Sequence, residues 1–206
     1  MKILFTGFDP FGGESINPAW EAVRGLPDVV AGAEIVKQQL PTIYGKAGEV
    51  LTGAIEREKP DAVVCVGQAG GRTAISLERI AVNLRDSAAK DNAGRTAEDE
   101  AIIPGGKTAY FATIPVKRIR DAIAAEGIAA GLSNSAGCFV CNDAMYTLLW
   151  YLEENYPGVR GGFVHVPFIP EQTKKRDKPT YSMELREITH ALEIAAGVLA
   201  KMQHKG

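Results

Sequence analysis

Hydrophobic and polar positions along this chain follow two periods. Short apolar runs bounded by glycine and proline alternate with segments whose apolar residues recur every three or four positions, the pattern of an α/β fold. Residues 3–8 (ILFTGF) read as a buried first strand that runs into the turn-rich stretch GFDPFGGES. Asn17 stands as an N-cap with Pro18 at the first helical position, opening a helix through Trp20 and Val23. Residues 34–40 predict a second strand, and 46–58 a helix that stops before Pro60. Residues 62–66 (AVVCV) are uncharged and rich in β-branched side chains. They predict a central strand with both faces covered, leading straight into GQAGGR.

Residues 75–84 (ISLERIAVNL) alternate well enough to form one strand, whereas 86–106 is polar, glycine-containing and aperiodic. The latter reads as a long loop, and a loop of that length inside a compact domain is usually functional or mobile. A helix over 116–126 places Val116, Ile119 and Ile123 on one face and closes at Gly127; a short strand over 128–132 follows. Residues 141–156 are helical with Met145, Leu148, Leu149 and Leu152 inward, and 162–166 form the last strand. Ile188, Leu192, Ala195, Leu199 and Met202 make the apolar stripe of a final helix. No internal repeat or low-complexity segment interrupts this order.

Composition narrows the class. The 206 residues suffice for one full core, and no shift in composition calls for a second domain. Hydrophobic residues at 46% and charged residues at 23% suit a soluble globular protein rather than a disordered or membrane one. The net charge is −2 with Lys and Arg scattered, so no basic face invites nucleic acid. Asp9 interrupts the N-terminal apolar run before it reaches signal-peptide length, and no apolar stretch approaches the ~20 residues of a membrane span. Three cysteines do not make a disulfide framework, so a cytoplasmic location with reduced thiols is expected.

Candidate chemistry centres on SNSAGCFVCN, residues 133–142, which spaces Cys138 and Cys141 as a C-x-x-C pair at a helix start. Thiol oxidoreductases use that spacing, because the helix dipole lowers a thiol pKa there. The bulky Phe-Val between the cysteines argues against it. Structural zinc would need four ligands, and the chain offers only Cys65, inside a strand, and three histidines without paired spacing. Plain core packing is a third reading; it suits Cys65, but suits Cys141 less well. Cys141 follows a Ser-Asn-Ser-Ala-Gly turn, where free backbone N–H groups and the positive end of the dipole can meet its sulfur.

A cysteine nucleophile needs such help or a nearby base. His204 lies near the end of the chain, and His190 sits in the last helix as a surface or packing residue. His165, in GGFVHVPFIP, ends a strand one αβ unit after Cys141, where sites on α/β sheets gather; a satisfied core histidine is the competing reading. Glu78 is a carboxylate in an otherwise apolar strand, either orienting an imidazole or paired at an edge with Arg79. The glycine-rich turns GFDPFGG and GQAGG match neither dinucleotide nor P-loop fingerprints, which weakens a nucleotide-binding reading.

TGFDPFGGESINPAWEAV, VGQAGGRTAISLERIAVN, SNSAGCFVCN and GGFVHVPFIPEQ, in that order, resemble the pyroglutamyl peptidase type I family, also called pyrrolidone-carboxylate peptidases. The blocks run from Gly7 to Gln172. The resemblance implies one catalytic domain over residues 1–206, a three-layer α/β/α sandwich on a mixed, largely parallel sheet. It implies an omega-type cysteine exopeptidase that removes N-terminal pyroglutamyl residues through a thioester acyl-enzyme. Cys141 maps to the nucleophile, His165 to the general base and Glu78 to the group that orients it, leaving Cys138 a bystander. Phe8 and Phe11 would clasp the lactam ring, Phe139 and Val140 complete the pocket, and Gln68, Asn17 and Thr42 lie near the ligand's polar atoms. No cofactor or metal, no nucleic acid and no membrane partner is implied; pyroglutamyl peptides are the expected substrate and a homotetramer the expected assembly. The residues themselves keep two alternatives open, a C-x-x-C thiol oxidoreductase and a pyroglutamyl-binding protein with weak turnover.

The chemistry of the substrate suits such a pocket. Pyroglutamate is a neutral lactam, so apolar and aromatic walls strand no charge, whereas an ordinary peptide amine would have to shed its hydration. One block departs from the family pattern. Where Arg-Ile-Pro-Asp-Asn is common, this chain has Ala88-Ala89-Lys90-Asp91-Asn92, which predicts a lost guanidinium near the scissile group and a looser loop.

Overall fold

The computed structural model describes residues 1–174, 176 and 178–202; His204 lies outside them. Among the described residues, eleven strands and six helices follow in chain order. The first half holds β1 (Lys2–Phe8), α1 (Pro18–Arg24), β2 (Val29–Val30), β3 (Ala33–Leu40), α2 (Lys46–Glu58) and β4 (Ala62–Gln68). β5 (Ile75–Glu78), β6 (Ile80–Val82), β7 (Arg85–Ser87), β8 (Ala97–Glu100) and β9 (Ala109–Phe111) come next. The rest comprises α3 (Val116–Ala125), β10 (Ala130–Ser133), α4 (Val140–Asn155), β11 (Arg160–Val166), α5 (Pro170–Thr173) and α6 (Leu185–Ala200).

Seven strands form the main sheet in the order β10-β5-β11-β4-β1-β3-β2. Neighbours pair in parallel except β11 with β5 and β2 with β3, so the sheet is mixed and largely parallel. Strand periodicity sorts the side chains into two cores. Ile3 and Phe5 of β1, with Val64 and Val66 of β4, pack on one face among α1, α3 and α6. Leu4 of β1, with Val63 and Cys65 of β4 and Phe163 of β11, packs on the other among α2 and α4. The result is a three-layer α/β/α sandwich. Among the described residues no helix is long and apolar enough to cross a membrane.

The segment read as one strand over 75–84 is two. At Arg79 the chain leaves the main sheet: its N–H donates to Ser133 O, while its own carbonyl accepts from Ala112 N, starting the β6–β9 ribbon. Each piece alternates by itself, Ile75 and Leu77 in β5 and Ile80 and Val82 in β6, so the break at Arg79 leaves only a shift of phase in the pattern. Within the stretch read as a long loop, β7 and β8 pair antiparallel and form a short arm.

Candidate active site

The carboxyl ends of parallel strands β1, β4 and β11 converge beside the start of α4. In β11 the alternation that sends Val164 and Val166 to one core sends Phe163 and His165 to the opposite face. Register does the rest: on β5, Ser76 stands opposite His165 and Glu78 opposite Phe163, so Glu78 is the diagonal neighbour of His165. A glutamate spans that diagonal. Its Oε1 lies 2.7 Å from His165 Nδ1, and the two side chains are 0% and 3% exposed.

A buried carboxylate needs compensation. Arg79, the partner considered from sequence, turns instead to Asn134 Oδ1, at 3.1 Å. Arg72 takes its place, its guanidinium 2.8 Å from Glu78 Oε1 and also donating to Ser135 O at 3.1 Å. Sequence reasoning passed over Arg72 inside GQAGGR; the signal available was a carboxylate six residues along in an otherwise apolar strand.

Cys141 is set by its neighbours at the start of α4. Asn142 Oδ1 accepts from Val82 N at 3.0 Å, and its Nδ2 donates to Val82 O and Leu84 O, both at 2.9 Å. Asp143, fully buried, accepts from Arg85 at 2.6 Å and from Gly45 N at 2.8 Å, joining the starts of α4 and α2. Removing one partner of such a buried pair typically costs about 3–5 kcal/mol, so this turn is firmly held. Phe139 occupies the N-cap and supplies no capping side chain. Among the described residues, the N–H groups of Val140, Cys141 and Asn142 find no protein acceptor.

Gly67, across the ladder from His165, makes room for the sulfur. A Cβ there would stand 2.9 Å from Cys141 Sγ and 2.8 Å from the Phe163 ring. Burial pushes the Cys141 thiol up to about 12, the negative charge of Glu78 adding to the effect and Arg72 opposing it. Burial also lowers the His165 pKa, against the hydrogen bond it donates to Glu78, which raises it. Both groups are therefore neutral at rest near pH 7.

Cys141 and His165 line one cavity of about 310 Å³, at the small end for ligand pockets. Phe8, Phe11 and Phe139 give it aromatic walls. Phe139 is braced by Phe11 at 6.3 Å and edge-on by Tyr44 at 5.4 Å between ring centroids. Asn17, Thr42 and Gln68 also line the cavity, but their polar atoms differ in what they have left to offer. Asn17 caps α1 through Ala19 N and donates to Asp9 O; Thr42 gives its hydroxyl to Asp9 O and its N–H to Asp9 Oδ1. These two mould the Phe8–Phe11 loop. Val140 stands apart from the expected set: its side chain is fully buried in the core with α2 and faces away from the cavity, leaving its backbone beside Cys141. Ala69, Gly70, Arg72, Ala136 and Gly137 complete the lining, and sequence reasoning had not assigned them to a pocket.

Cys138 is partly exposed and outside that lining, so the two cysteines do not share the cavity. Cys65 is fully buried behind it, its thiol pushed up to about 12 by burial. Among the described residues no group of three or more His, Cys, Asp or Glu gathers as metal ligands. A second cleft lies beside Phe111, lined by Tyr110, Leu149 and Leu152, with Lys107 and Glu153 paired at its rim. Among the described residues, its lining holds neither a cysteine nor a histidine.

The 88–92 segment is tied down despite its lost proline. Asp91, 5% exposed, accepts from Tyr44 N, Ala93 N and Arg95 N. Asn92 donates through its side chain to Asp9 Oδ1 and Pro10 O, at 3.1 and 2.9 Å, and through its backbone to Thr42 O. These bonds fasten the segment to the loop that presents Phe8 and Phe11, contrary to the looseness expected of it.

Comparison with known proteins gives a consistent result. A family model described as pyroglutamyl peptidase matches residues 1–202. The pyrrolidone-carboxylate peptidases of Enterococcus faecalis and Thermococcus kodakarensis are each 51% identical, over 93% and 95% of this chain and 90% and 94% of their own. A crystal structure of pyroglutamyl peptidase I from Bacillus amyloliquefaciens superposes with a TM-score of 0.93 at 47% identity, covering 97% of this chain and 94% of that one. A mutant pyrrolidone carboxyl peptidase from Pyrococcus furiosus gives 0.94 at 42% identity, over 98% and 100% of the two chains.

Proposed function

The chain belongs to the pyroglutamyl peptidase family and is a hydrolase of pyroglutamyl peptides, and on that premise we propose that it is a cysteine exopeptidase using Cys141, His165 and Glu78. One observation carries this reading: a thiol and an imidazole line a single aromatic cavity, and a buried carboxylate stands behind the imidazole.

A carboxylate only accepts, so Glu78 accepts the hydrogen bond of His165 Nδ1–H, which keeps the proton on Nδ1 and leaves Nε2 as the base. The N-terminal lactam ring enters between Phe8, Phe11 and Phe139, with the Nε2H₂ of Gln68 donating to its carbonyl. Cys141 Sγ attacks the pyroglutamyl carbonyl carbon as its proton passes to His165 Nε2. Glu78 stabilises the imidazolium so formed. The free N–H groups at the start of α4, that of Cys141 first, receive the oxyanion, a contribution of about 3 kcal/mol or more for a good donor set. His165 returns the proton to the departing amine, the C–N bond breaks, and a thioester remains. Water, deprotonated by His165, then attacks the thioester; the C–S bond breaks, and the thiol and free pyroglutamate are regenerated.

Because the resting thiol and imidazole are both neutral, proton transfer accompanies attack rather than preceding it. Among the described residues the cavity offers no carboxylate to an ammonium group, which supports selection of a blocked N-terminus over a free one. Cys138 takes no part in this scheme. The same reading carries the family's homotetrameric assembly and cytoplasmic location, the first testable by light scattering. The deciding assay is release of the chromophore from a pyroglutamyl arylamide, blocked by iodoacetamide and indifferent to chelator. Absence of turnover across about pH 6 to 9 would replace the peptidase by a pyroglutamyl-binding protein.

A further inference from the structure

Gln172 reaches the site through another side chain. It lies in α5, in the peptide that follows β11, and is 8% exposed. Its Oε1 accepts from the backbone N–H of Ile169 at 3.3 Å, and its Nε2 donates to the carbonyl of Ile16 at 3.4 Å and to Gln68 Oε1 at 3.1 Å. A backbone N–H can only donate and a carbonyl can only accept. Two backbone groups, one on each side, therefore fix which end of the Gln172 amide is which.

That choice propagates. Because Gln172 presents a donor, Gln68 must answer with its oxygen, and its NH₂ group is what remains for the cavity it lines. Among the described residues, that nitrogen has no protein acceptor. The two ends of a carboxamide are nearly the same shape, so without Gln172 nothing in the packing would decide which one meets a ligand.

Resting on the pyroglutamyl reading above, we propose that Gln172 is a positioning residue for substrate selection: it locks Gln68 with its donor toward the cavity. The site then accepts a five-membered ring carrying a carbonyl acceptor at that point and rejects one carrying a donor. A polar group left facing its own kind in a buried site is costly, which makes the device discriminating rather than merely attractive.

The test is a double-mutant cycle read by the inhibition constant of 2-pyrrolidone and by KM and kcat for a pyroglutamyl arylamide. Gln172→Glu keeps the shape but, at about pH 9 where even a buried glutamate is largely ionised, can only accept. Gln68 must then turn its NH₂ toward residue 172 and its oxygen toward the ligand. Inhibition and KM should weaken about tenfold or more, with kcat affected far less. In a Gln68→Met background, Gln172→Glu should add almost nothing. Equal losses in both backgrounds, or a loss confined to kcat, would overturn the relay and leave Gln172 a structural residue. Thermal unfolding of each variant identifies any that fails to fold, and Gln172→Met, which leaves the Gln68 amide free to turn, should lose less than Gln172→Glu. If the unaltered protein neither binds 2-pyrrolidone nor cleaves the arylamide, the pyroglutamyl reading fails instead.

Discussion

Glu78 Oε1 lies 2.7 Å from His165 Nδ1, and the same oxygen lies 2.8 Å from the guanidinium of Arg72. One carboxylate oxygen thus selects the imidazole tautomer while its charge is balanced from the other side. Glu78→Gln keeps the shape but offers Nδ1 an amide that can present its NH₂, which favours the wrong tautomer. The expected loss in kcat/KM is roughly two to four orders of magnitude with little change in KM. Steady-state kinetics on a pyroglutamyl arylamide measure it; a loss under tenfold would remove Glu78 from the proposed machinery.

The cavity distinguishes the two neighbouring cysteines, since Cys141 lines it and Cys138 does not. Cys141→Ser should lower kcat by roughly three orders of magnitude or more. Cys138→Ser, at a partly exposed position outside the lining, should stay within about twofold. Mass spectrometry after limited iodoacetamide treatment should find loss of activity tracking alkylation of Cys141. Equal inactivation by the two substitutions would restore the dithiol reading.

Much of this site is legible in the chain because its parts coincide with element ends. Cys141 opens a helix, His165 closes a strand, and Asn17-Pro18 announce α1, all local signals that survive folding. Register is not local. That Glu78 falls diagonally from His165 depends on β5 running antiparallel to β11 inside a largely parallel sheet, and alternation alone carries no information about pairing direction. Arg72 was hidden for the same reason, because a cation in a glycine-rich turn gains its meaning from the acid it meets. Val140 adjoins Phe139 in sequence, yet one step along a helix turns a side chain by about 100°, enough to move it from cavity to core.

The pH profile follows from two opposite shifts. His165, lowered by burial, is the neutral base down to pH values below its ordinary ~6.5, so the acid limb of kcat/KM should lie on the acid side of that value. The Cys141 thiol, pushed up to about 12 by burial, should show no thiolate inflection in its alkylation rate through the neutral range. A thiolate–imidazolium pair would show the reverse, with rapid alkylation persisting into acid. Stability should respond as well. Between the lowered folded value of His165 and ~6.5 the unfolded chain binds more protons, so acidification through that window destabilises the fold. Cys65 and Cys141 keep their protons to about 12 while the unfolded thiols lose theirs near ~8.5, so stability also falls as pH rises through that range. Unfolding temperatures measured from pH 5 to 10 check both slopes; a flat curve would contradict the burial of these groups.

Gly67 provides the most local test of how closely the nucleophile is fitted. It stands opposite His165 in the β4–β11 ladder, and an added Cβ would come within 2.8 Å of the Phe163 ring and 2.9 Å of Cys141 Sγ. Both neighbours are held: Phe163 is packed in the core with α2 and α4, and Cys141 sits in a helical turn fixed by Asn142 and Asp143. Gly67→Ala should therefore cost about 1–3 kcal/mol in unfolding free energy from overpacking. The chemistry should suffer more than the fold, because the thiol is the side chain with an open cavity to retreat into. A displacement of about 1 Å can cost on the order of a hundredfold in rate. Denaturant unfolding and kcat, measured on the same preparation, separate the two effects. Full activity in a destabilised variant would mean that Phe163 yields and the sulfur stays, which would remove Gly67 from the positioning of Cys141.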